Sequence, residues 1–84
     1  MEASIVIPVW NGGSVVSDCL DAIYAHCGDE LLEVICVDNA SRDDSATLIA
    51  DRFPQVRLIR QPVNLGFAGG VNAGIQMAQG DVFI

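Results

Sequence analysis

The sequence contains no lysine, and its basic residues are four arginines. Against them stand eleven acidic side chains, which gives a net charge of −7 at pH 7. Proteins that grip a phosphate backbone carry a basic stripe, so we expect no nucleic-acid partner. A GxxxxGK[ST] phosphate loop is excluded as well, because that motif requires lysine. An acidic chain can still bind a small anion through backbone N–H groups or a bound divalent cation.

Long apolar runs are also missing. No segment approaches the roughly 18 apolar residues that span a bilayer, and the amino terminus, with its acidic Glu2, is unlike a secretory signal peptide. Cysteine is scarce. The chain has an odd number of cysteines, Cys19, Cys27 and Cys36, and they lie in apolar stretches of the sequence. This pattern favours buried, reduced thiols over a disulfide framework, and it matches no zinc motif. We therefore expect a cytoplasmic protein.

Apolar residues are abundant instead, at 51% of 84 residues. A chain of this length supports one small domain with a thin core. Such an apolar composition is more typical of a part of a larger α/β domain than of a freestanding small protein. We expect residues 1–84 to form part of a single domain.

Short β-branched or alternating segments predict four strands, and apolar residues spaced by three and four predict three helices. The order β-α-β-α-β-α-β predicts an α/β fold with an open, mostly parallel sheet, since helices between strands favour right-handed crossovers. The predicted strands are residues 4–9, 32–37, 56–60 and 81–84, and the predicted helices are residues 14–24, 44–53 and 70–79.

Ligands of open parallel sheets bind beyond the carboxyl ends of the strands. That rule selects three loops, "PVWNGG", "DNASRDD" and "NLGFAGG". Glycines at 66, 69 and 70 permit positive φ and a close backbone approach, and the helix after them presents unpaired N–H groups to an anion. These features predict a diphosphate site. A second interpretation stays open, in which the glycines turn the chain and let the helix pack closely.

Asp38 lies where a Rossmann dehydrogenase places its ribose-binding acid. The first loop, "WNGGSVV", lacks GxGxxG, which weakens that interpretation without removing it. An NAD-binding oxidoreductase domain therefore remains one alternative. Another is a noncatalytic fragment that associates with itself through an open sheet edge, and a homodimer or an exchanged strand is expected on the same ground.

Three segments, "SIVIPVWNGG", "EVICVDNASRDDS" and "NLGFAGGVNAGIQMAQGDVFI", resemble the amino-terminal, nucleotide-binding half of family 2 inverting glycosyltransferases, especially the rhamnosyltransferase-like branch. The resemblance implies a GT-A fold and transfer of a sugar from a nucleotide-diphospho-sugar donor to a saccharide or lipid-linked acceptor, as in polysaccharide biosynthesis. It places the parent enzyme in the cytoplasm or at the inner face of the membrane.

The family resemblance also implies a divalent cation, magnesium or manganese, held by an acidic motif that follows the strand "GDVFI", and a general base farther along the chain. Neither motif lies within residues 1–84. This chain is therefore expected to supply donor binding, to stop before the metal motif, and to hold no catalytic residue or metal ligand.

The nucleotide contacts implied by the resemblance lie in the three loops. The turn after the first strand wraps the base, Asp38 and Asn39 face the base and ribose, and the third loop lies near the ribose and diphosphate. Many family members carry two acids where this chain has Asp38-Asn39, which leaves the base open. The residues assigned to the site are Pro8, Val9, Trp10, Asn11, Asp38, Asn39, Asn64, Gly66, Gly69 and Asn72.

Overall fold

A computed structural model describes residues 3–28 and 31–83, which form an α/β fold around a four-stranded sheet. The strands are all parallel and lie in the order β3-β2-β1-β4. The predicted fold class and element order are confirmed. The elements are β1 (Ala3–Val9), α1 (Gly13–His26), β2 (Leu31–Asn39), α2 (Ser45–Arg52), β3 (Arg57–Gln61), α3 (Gly66–Met77) and β4 (Asp81–Phe83).

The sheet buries both of its faces. Strand β2 is buried at every residue from Val34 to Asn39, because it is central and its side chains alternate between two helical layers. On one face, Val34 and Cys36 pack with residues of α1 and α2. On the other face, Ile35 and Val37 lie under α3. The first cluster comprises Val9, Val16, Leu20, Val34, Cys36, Ile49, Phe53 and Val56, and the second comprises Val6, Ile35 and Val37.

Helix α3 packs closely on the sheet at two glycines, where there is no room for a side chain. A Cβ atom on Gly74 would stand 2.3 Å from Cγ1 of Val6. A Cβ atom on Gly70 would stand 2.8 Å from Nδ2 of Asn39 and 3.3 Å from Cβ of Pro8. The close-packing interpretation of the glycine-rich segment therefore holds at these two positions.

The glycine-rich segment is mostly helical, which corrects the predicted start of this helix. Helix α3 begins at Gly66 rather than near Gly70, and it ends at Met77 with Ala78 as its cap rather than at Gln79. Within the segment, positive φ occurs at Gly66 (75°) and not at Gly69 or Gly70. Glycine disfavours helix in isolation, but packing against the sheet overrides that preference.

Other boundaries differ by a few residues. Helix α1 begins at Gly13 without a side-chain cap, so Ser14 does not cap it. Strand β3 begins at Arg57, and Val56 before it is buried in the first core cluster. Strand β1 begins one residue earlier than predicted, at Ala3, and ends at Val9 as predicted, where Val9 pairs with Asp38. The predicted end of the last strand, Ile84, lies outside the described residues.

Only one of the three thiols is buried, which corrects the expectation for the other two. Cys36 is buried, whereas Cys19 and Cys27 are exposed. Burial, with a smaller contribution from Cys19, raises the pKa of the Cys36 thiol to about 12, so this group stays protonated at neutral pH.

Across the described part of the chain, no helix has the length and hydrophobicity needed to cross a membrane.

A buried carboxylate joins the elements at the amino-terminal edge of the sheet. The carboxylate of Glu33, on β2, accepts hydrogen bonds from Ser4 Oγ (2.8 Å), the Gln79 N–H (2.7 Å) and Arg57 Nη1 (3.0 Å). Ser4 Oγ in turn accepts from the Gly80 N–H at 2.9 Å. Burial acts to raise the pKa of Glu33, but the three donors outweigh it and hold this pKa below its ordinary value.

Candidate functional site

The carboxyl ends of β1 and β2 are joined by Asn11. Its backbone N–H donates to Ser41 Oγ at 2.9 Å, and its side-chain Oδ1 accepts from the backbone N–H of Arg42 at 2.8 Å and of Asp43 at 3.4 Å. Asn11 adopts a φ of 51°, in the left-handed region that asparagine tolerates better than most residues. Its side chain is therefore occupied in holding two loops together.

A second set of bonds joins the same loops below Asn11. The Gly13 N–H donates to Ser45 Oγ at 2.8 Å, and Asp43 Oδ1 accepts from the Ser45 N–H at 3.0 Å. Asp44 makes no side-chain capping bond to α2, so Asp43 fills that role. Ala40 has a φ of 58°, which turns the chain sharply after β2. These contacts fix the shape of the edge without using a ligand.

Asp38 and Asn39 are adjacent in sequence but point to opposite faces of the sheet, because side chains alternate along a strand. Asp38 follows Val34 and Cys36 toward α1 and α2, and its Oδ2 accepts from the Ser41 N–H at 3.2 Å. Asn39 points toward α3, where its Nδ2 donates to the Gly66 carbonyl at 3.1 Å. The sequence predicts that both residues face one ligand, whereas in the structure their side chains point in opposite directions.

Both side chains keep one unpaired oxygen. Asp38 is 4% exposed and Asn39 is 3% exposed, yet Oδ1 of each has no hydrogen-bond partner among the described residues. Leaving a buried acceptor unpaired costs about 1–3 kcal/mol. Such atoms in a folded protein call for a donor from outside the chain, which a water molecule or a ligand can supply.

The third loop anchors the start of α3. Asn64 Oδ1 accepts from the Gly66 N–H at 2.8 Å, while the Gly66 carbonyl accepts from Asn39. The helix N-terminus is thereby fixed at the carboxyl edge of the sheet. Free N–H groups of a first helical turn carry a partial positive charge, so this placement favours an anionic group nearby.

Two neighbouring cavities, which we name the carboxyl-edge cleft, open between these loops. The smaller one has a volume of about 220 Å³, the larger one has about 710 Å³, and both are lined by Trp10 and Asn64. The remaining residues of the smaller cavity are Pro8, Val9, Asn39, Gly66 and Phe67, and those of the larger are Asn11, Ala40, Arg42, Pro62 and Val63.

Seven of the ten assigned residues line this cleft, and three do not. Asp38 is buried on the other face of the sheet. Gly69 lies on α3 against the side chain of Leu65, and Asn72 is exposed one turn farther along that helix. The seven that the structure brings together are Pro8, Val9, Trp10, Asn11, Asn39, Asn64 and Gly66.

Sequence reasoning missed five residues that line the cleft, of which Phe67 and Arg42 carry an aromatic ring and a charge; the others are Ala40, Pro62 and Val63. Phe67 lies three residues before the buried Gly70, so a helix assigned from Gly66 onward would have placed both on one stripe. Arg42 is the basic residue of the loop "DNASRDD", and charge alone could have marked it in so acidic a chain. Both were passed over because the loops were judged on glycine and carboxylate content.

A third cavity, of about 380 Å³, lies at the opposite edge of the sheet and is lined by Glu33, Arg57 and Tyr24 among others. Its charged groups pair with one another at 3.0 Å, so they need no ligand. The carboxyl-edge cleft, by contrast, is lined by Asn39, whose Oδ1 is buried and has no partner among the described residues. The cleft is therefore the stronger candidate for ligand binding.

Metal ligands are the remaining question of site chemistry. Within residues 3–28 and 31–83, no group of three or more His, Cys, Asp or Glu side chains is placed to hold a metal ion.

The chain matches known proteins over nearly its whole length. The profile of the family described as "Glycosyl transferase family 2" matches residues 4–84. The chain is 35% identical over 89 residues to the poly(ribitol-phosphate) beta-glucosyltransferase of Bacillus spizizenii. That alignment covers 100% of this chain and 14% of the relative.

Two solved structures have a similar fold. The mannosyltransferase PcManGT from Pyrobaculum calidifontis, in complex with GDP-Man and Mn2+, matches with a TM-score of 0.83 at 27% identity, over 96% of this chain and 26% of that one. S. aureus TarS 1-349, in complex with UDP-GlcNAc, matches with a TM-score of 0.87 at 20% identity. That match covers 99% of this chain and 25% of TarS 1-349. This chain spans 14%, 26% and 25% of the length of these three proteins, respectively.

Proposed function

Because the chain belongs to glycosyl transferase family 2, we propose that its carboxyl-edge cleft binds the nucleotide of a nucleotide-diphospho-sugar donor. The observation that carries this proposal is Asn39, a side chain that is 3% exposed, lines the cleft, and leaves Oδ1 without a donor in the described structure. Its Nδ2 is held by the Gly66 carbonyl, so Oδ1 is fixed as an acceptor. In this proposal, an N–H of the ligand donates the missing hydrogen bond to Asn39 Oδ1.

A fixed acceptor at this position selects among bases. Uracil and thymine present a ring N–H, as does guanine, whereas the matching ring nitrogen of cytosine is an acceptor. We propose that Asn39 Oδ1 accepts from that ring N–H and that Trp10, 59% exposed on the wall of the cleft, stacks on the base. The start of α3 then faces the ribose and diphosphate.

The neighbouring residues of the cleft have two kinds of proposed role. Pro8 and Val9 shape the wall, and Asn64 acts through the α3 start that it anchors. Asn11 acts by holding the loops, since its Oδ1 is already paired with the backbone. Asp38 would contact the ribose through its unpaired Oδ1 if the Ser41 loop moved. Gly69 and Asn72 would act from α3, outside the cleft.

For the whole enzyme, we propose transfer of a sugar with inversion to a saccharide or lipid-linked acceptor, and a rhamnosyltransferase-like donor preference. The first part is supported by a relative named for glucosyl transfer to poly(ribitol-phosphate), and the second by the resemblance of the loop segments. A cytoplasmic location, or one at the inner membrane face, is proposed with it.

A divalent cation, magnesium or manganese, is proposed for the whole enzyme. The complex of PcManGT with GDP-Man and Mn2+ supports this part. When bound, such an ion neutralises the leaving diphosphate as a Lewis acid. The described residues hold no metal site, so its ligands and the general base are proposed to lie outside residues 1–84.

Replacing Asn39 with leucine should weaken UDP binding about tenfold, because the variant keeps the side chain's size but loses its acceptor. Fluorescence of Trp10, the only tryptophan in the chain, provides the titration signal. UDP should also bind better than CDP to the unaltered chain, and Asn39→Leu should abolish that preference.

The matched control is Gln61→Leu, which makes a similar change at the residue paired with Asn39 across the sheet but outside the cleft. This variant should bind UDP like the unaltered chain. Equal binding of UDP and CDP to the unaltered chain would contradict the role of Asn39. Tighter binding of NAD than of any nucleoside diphosphate would instead favour the oxidoreductase alternative.

Self-association is a separate proposal, based on the two outer strands of the sheet, β3 and β4. An outer strand presents unpaired backbone groups that can pair with a second copy. Sedimentation velocity over a hundredfold range of concentration should then show a dimer that dissociates on dilution. A monomer at every concentration would count against it.

A further inference from the structure

Phe67 lies on the stripe of α3 that faces the sheet, yet it is 68% exposed. The buried residues of this helix are Gly70, Val71 and Gly74, and Phe67 precedes the first two by three and four positions, so it shares their side. Gly70 already lies against Pro8 and Asn39, near the last residues of their strands. One turn earlier on the same side of the helix, Phe67 lines the smaller cavity of the cleft.

The cavity below Phe67 combines apolar walls with one buried acceptor. Phe67 and Trp10 both line the space of about 220 Å³, and the same space is lined by Asn39 with its unpaired Oδ1. Pockets for drug-sized ligands measure about 300–1,000 Å³, so this cavity suits a single ring system rather than a whole ligand. The rings of Trp10 and Phe67 can stack on a planar heterocycle, and Asn39 Oδ1 can accept a hydrogen bond from an N–H of that heterocycle.

We propose that Phe67 is a ligand-binding residue that stacks on the nucleobase of the donor, with Trp10 as the other wall and Asn39 Oδ1 on the base edge. The inference rests on the proposed function and adds a contact to it. Aromatic stacking contributes about 1–3 kcal/mol per base and suits any base, so Phe67 provides affinity while Asn39 provides selection. Asn64 holds the start of the helix through the Gly66 N–H, so binding does not have to order the backbone that carries Phe67.

Two variants of Phe67 distinguish a contact that requires an aromatic ring from one that requires only an apolar side chain. Phe67→Leu keeps an apolar side chain of similar size but removes the ring, and it should weaken UDP binding about tenfold. Phe67→Tyr keeps the ring and should bind UDP like the unaltered chain. Val15→Ala, a change to an equally exposed apolar residue on α1, should have no effect. Trp10 fluorescence reports binding, and thermal melting reports whether each variant folds.

Each outcome either supports or overturns the stacking role of Phe67. Unchanged UDP affinity in Phe67→Leu would overturn the stacking role while leaving the proposed function in place. Equal losses in Phe67→Leu and Phe67→Tyr would also overturn it, because the tyrosine ring stacks as phenylalanine does. Failure of the unaltered chain to bind UDP, dTDP or GDP would overturn the proposed function, and this inference with it.

Discussion

Replacing Gly74 with alanine should lower the free energy of unfolding by about 2 kcal/mol, within the usual range for an overpacked core. The new Cβ would lie 2.3 Å from Cγ1 of Val6 and 3.3 Å from Cγ2 of Val37. Both valines are 0% exposed, so neither has room to yield. Alanine favours helix by up to about 1 kcal/mol, which offsets only part of the clash.

Gly28→Ala is the matched control for Gly74→Ala. No atom lies within 4 Å of a Cβ built at Gly28, so the same chemical change should leave stability nearly unaltered there. Urea denaturation followed by circular dichroism measures both variants. Because α3 carries Gly66 and Phe67, the Gly74 variant should also bind UDP more weakly. A Gly74→Ala protein as stable as the parent would show that α3 can shift without cost.

Replacing Glu33 with glutamine should cost about 1–3 kcal/mol of stability at pH 7, because three hydrogen-bond donors lose a largely buried acceptor. The Glu33 side chain is 9% exposed and accepts from three donors, on Ser4, Gln79 and Arg57. An amide in its place turns one acceptor into a donor that faces other donors. The loss should appear as a lower urea midpoint with an unchanged slope.

The same carboxylate gives stability a pH dependence whose sign is set by its lowered pKa. A group with a lower pKa in the folded state stabilises the fold above its unfolded value, which is about 4.3 for glutamate. That stabilisation is lost as the pH falls through the lower folded pKa. Stability should therefore decline below about pH 4 in the parent, and this decline should be shallower in Glu33→Gln.

Asp51→Asn provides the control for that pH profile. Asp51 lies exposed on α2, so its change from acid to amide should leave both the stability at pH 7 and the acid decline as they are. An identical acid decline in the parent and in Glu33→Gln would contradict the assignment. Carboxylates elsewhere in this acidic chain would then govern the loss of stability.

The order of the elements could be predicted from the sequence, because it depends on local patterns. The run "EVICV" is apolar at consecutive positions, which is typical of a strand buried on both faces, and β2 is buried in that way. The loops after the first three strands were selected by the rule for parallel sheets, and residues of all three line the carboxyl-edge cleft.

The start of α3 could not be predicted in the same way. "GFAGG" has low helix propensity, and a local rule therefore assigns a loop. The segment is helical because Gly70 and Gly74 allow the backbone to approach Asn39 and Val6, and that approach exists only once β1 and β2 are paired. The place of Phe67 over the cleft follows from this helix and was missed for the same reason.

The sequence by itself determined the family and the fold class, and it selected the edge of the sheet for which ligand binding is proposed, since motifs and periodicity are local properties of the chain. Only the tertiary structure decided that Asn39 and not Asp38 lines the cleft, that the Asn11 side chain is occupied in joining two loops, and that Phe67 lines the smaller cavity of the cleft. These facts depend on which face of a strand meets which helix. Contacts between distant segments set that relation, and no local pattern encodes it.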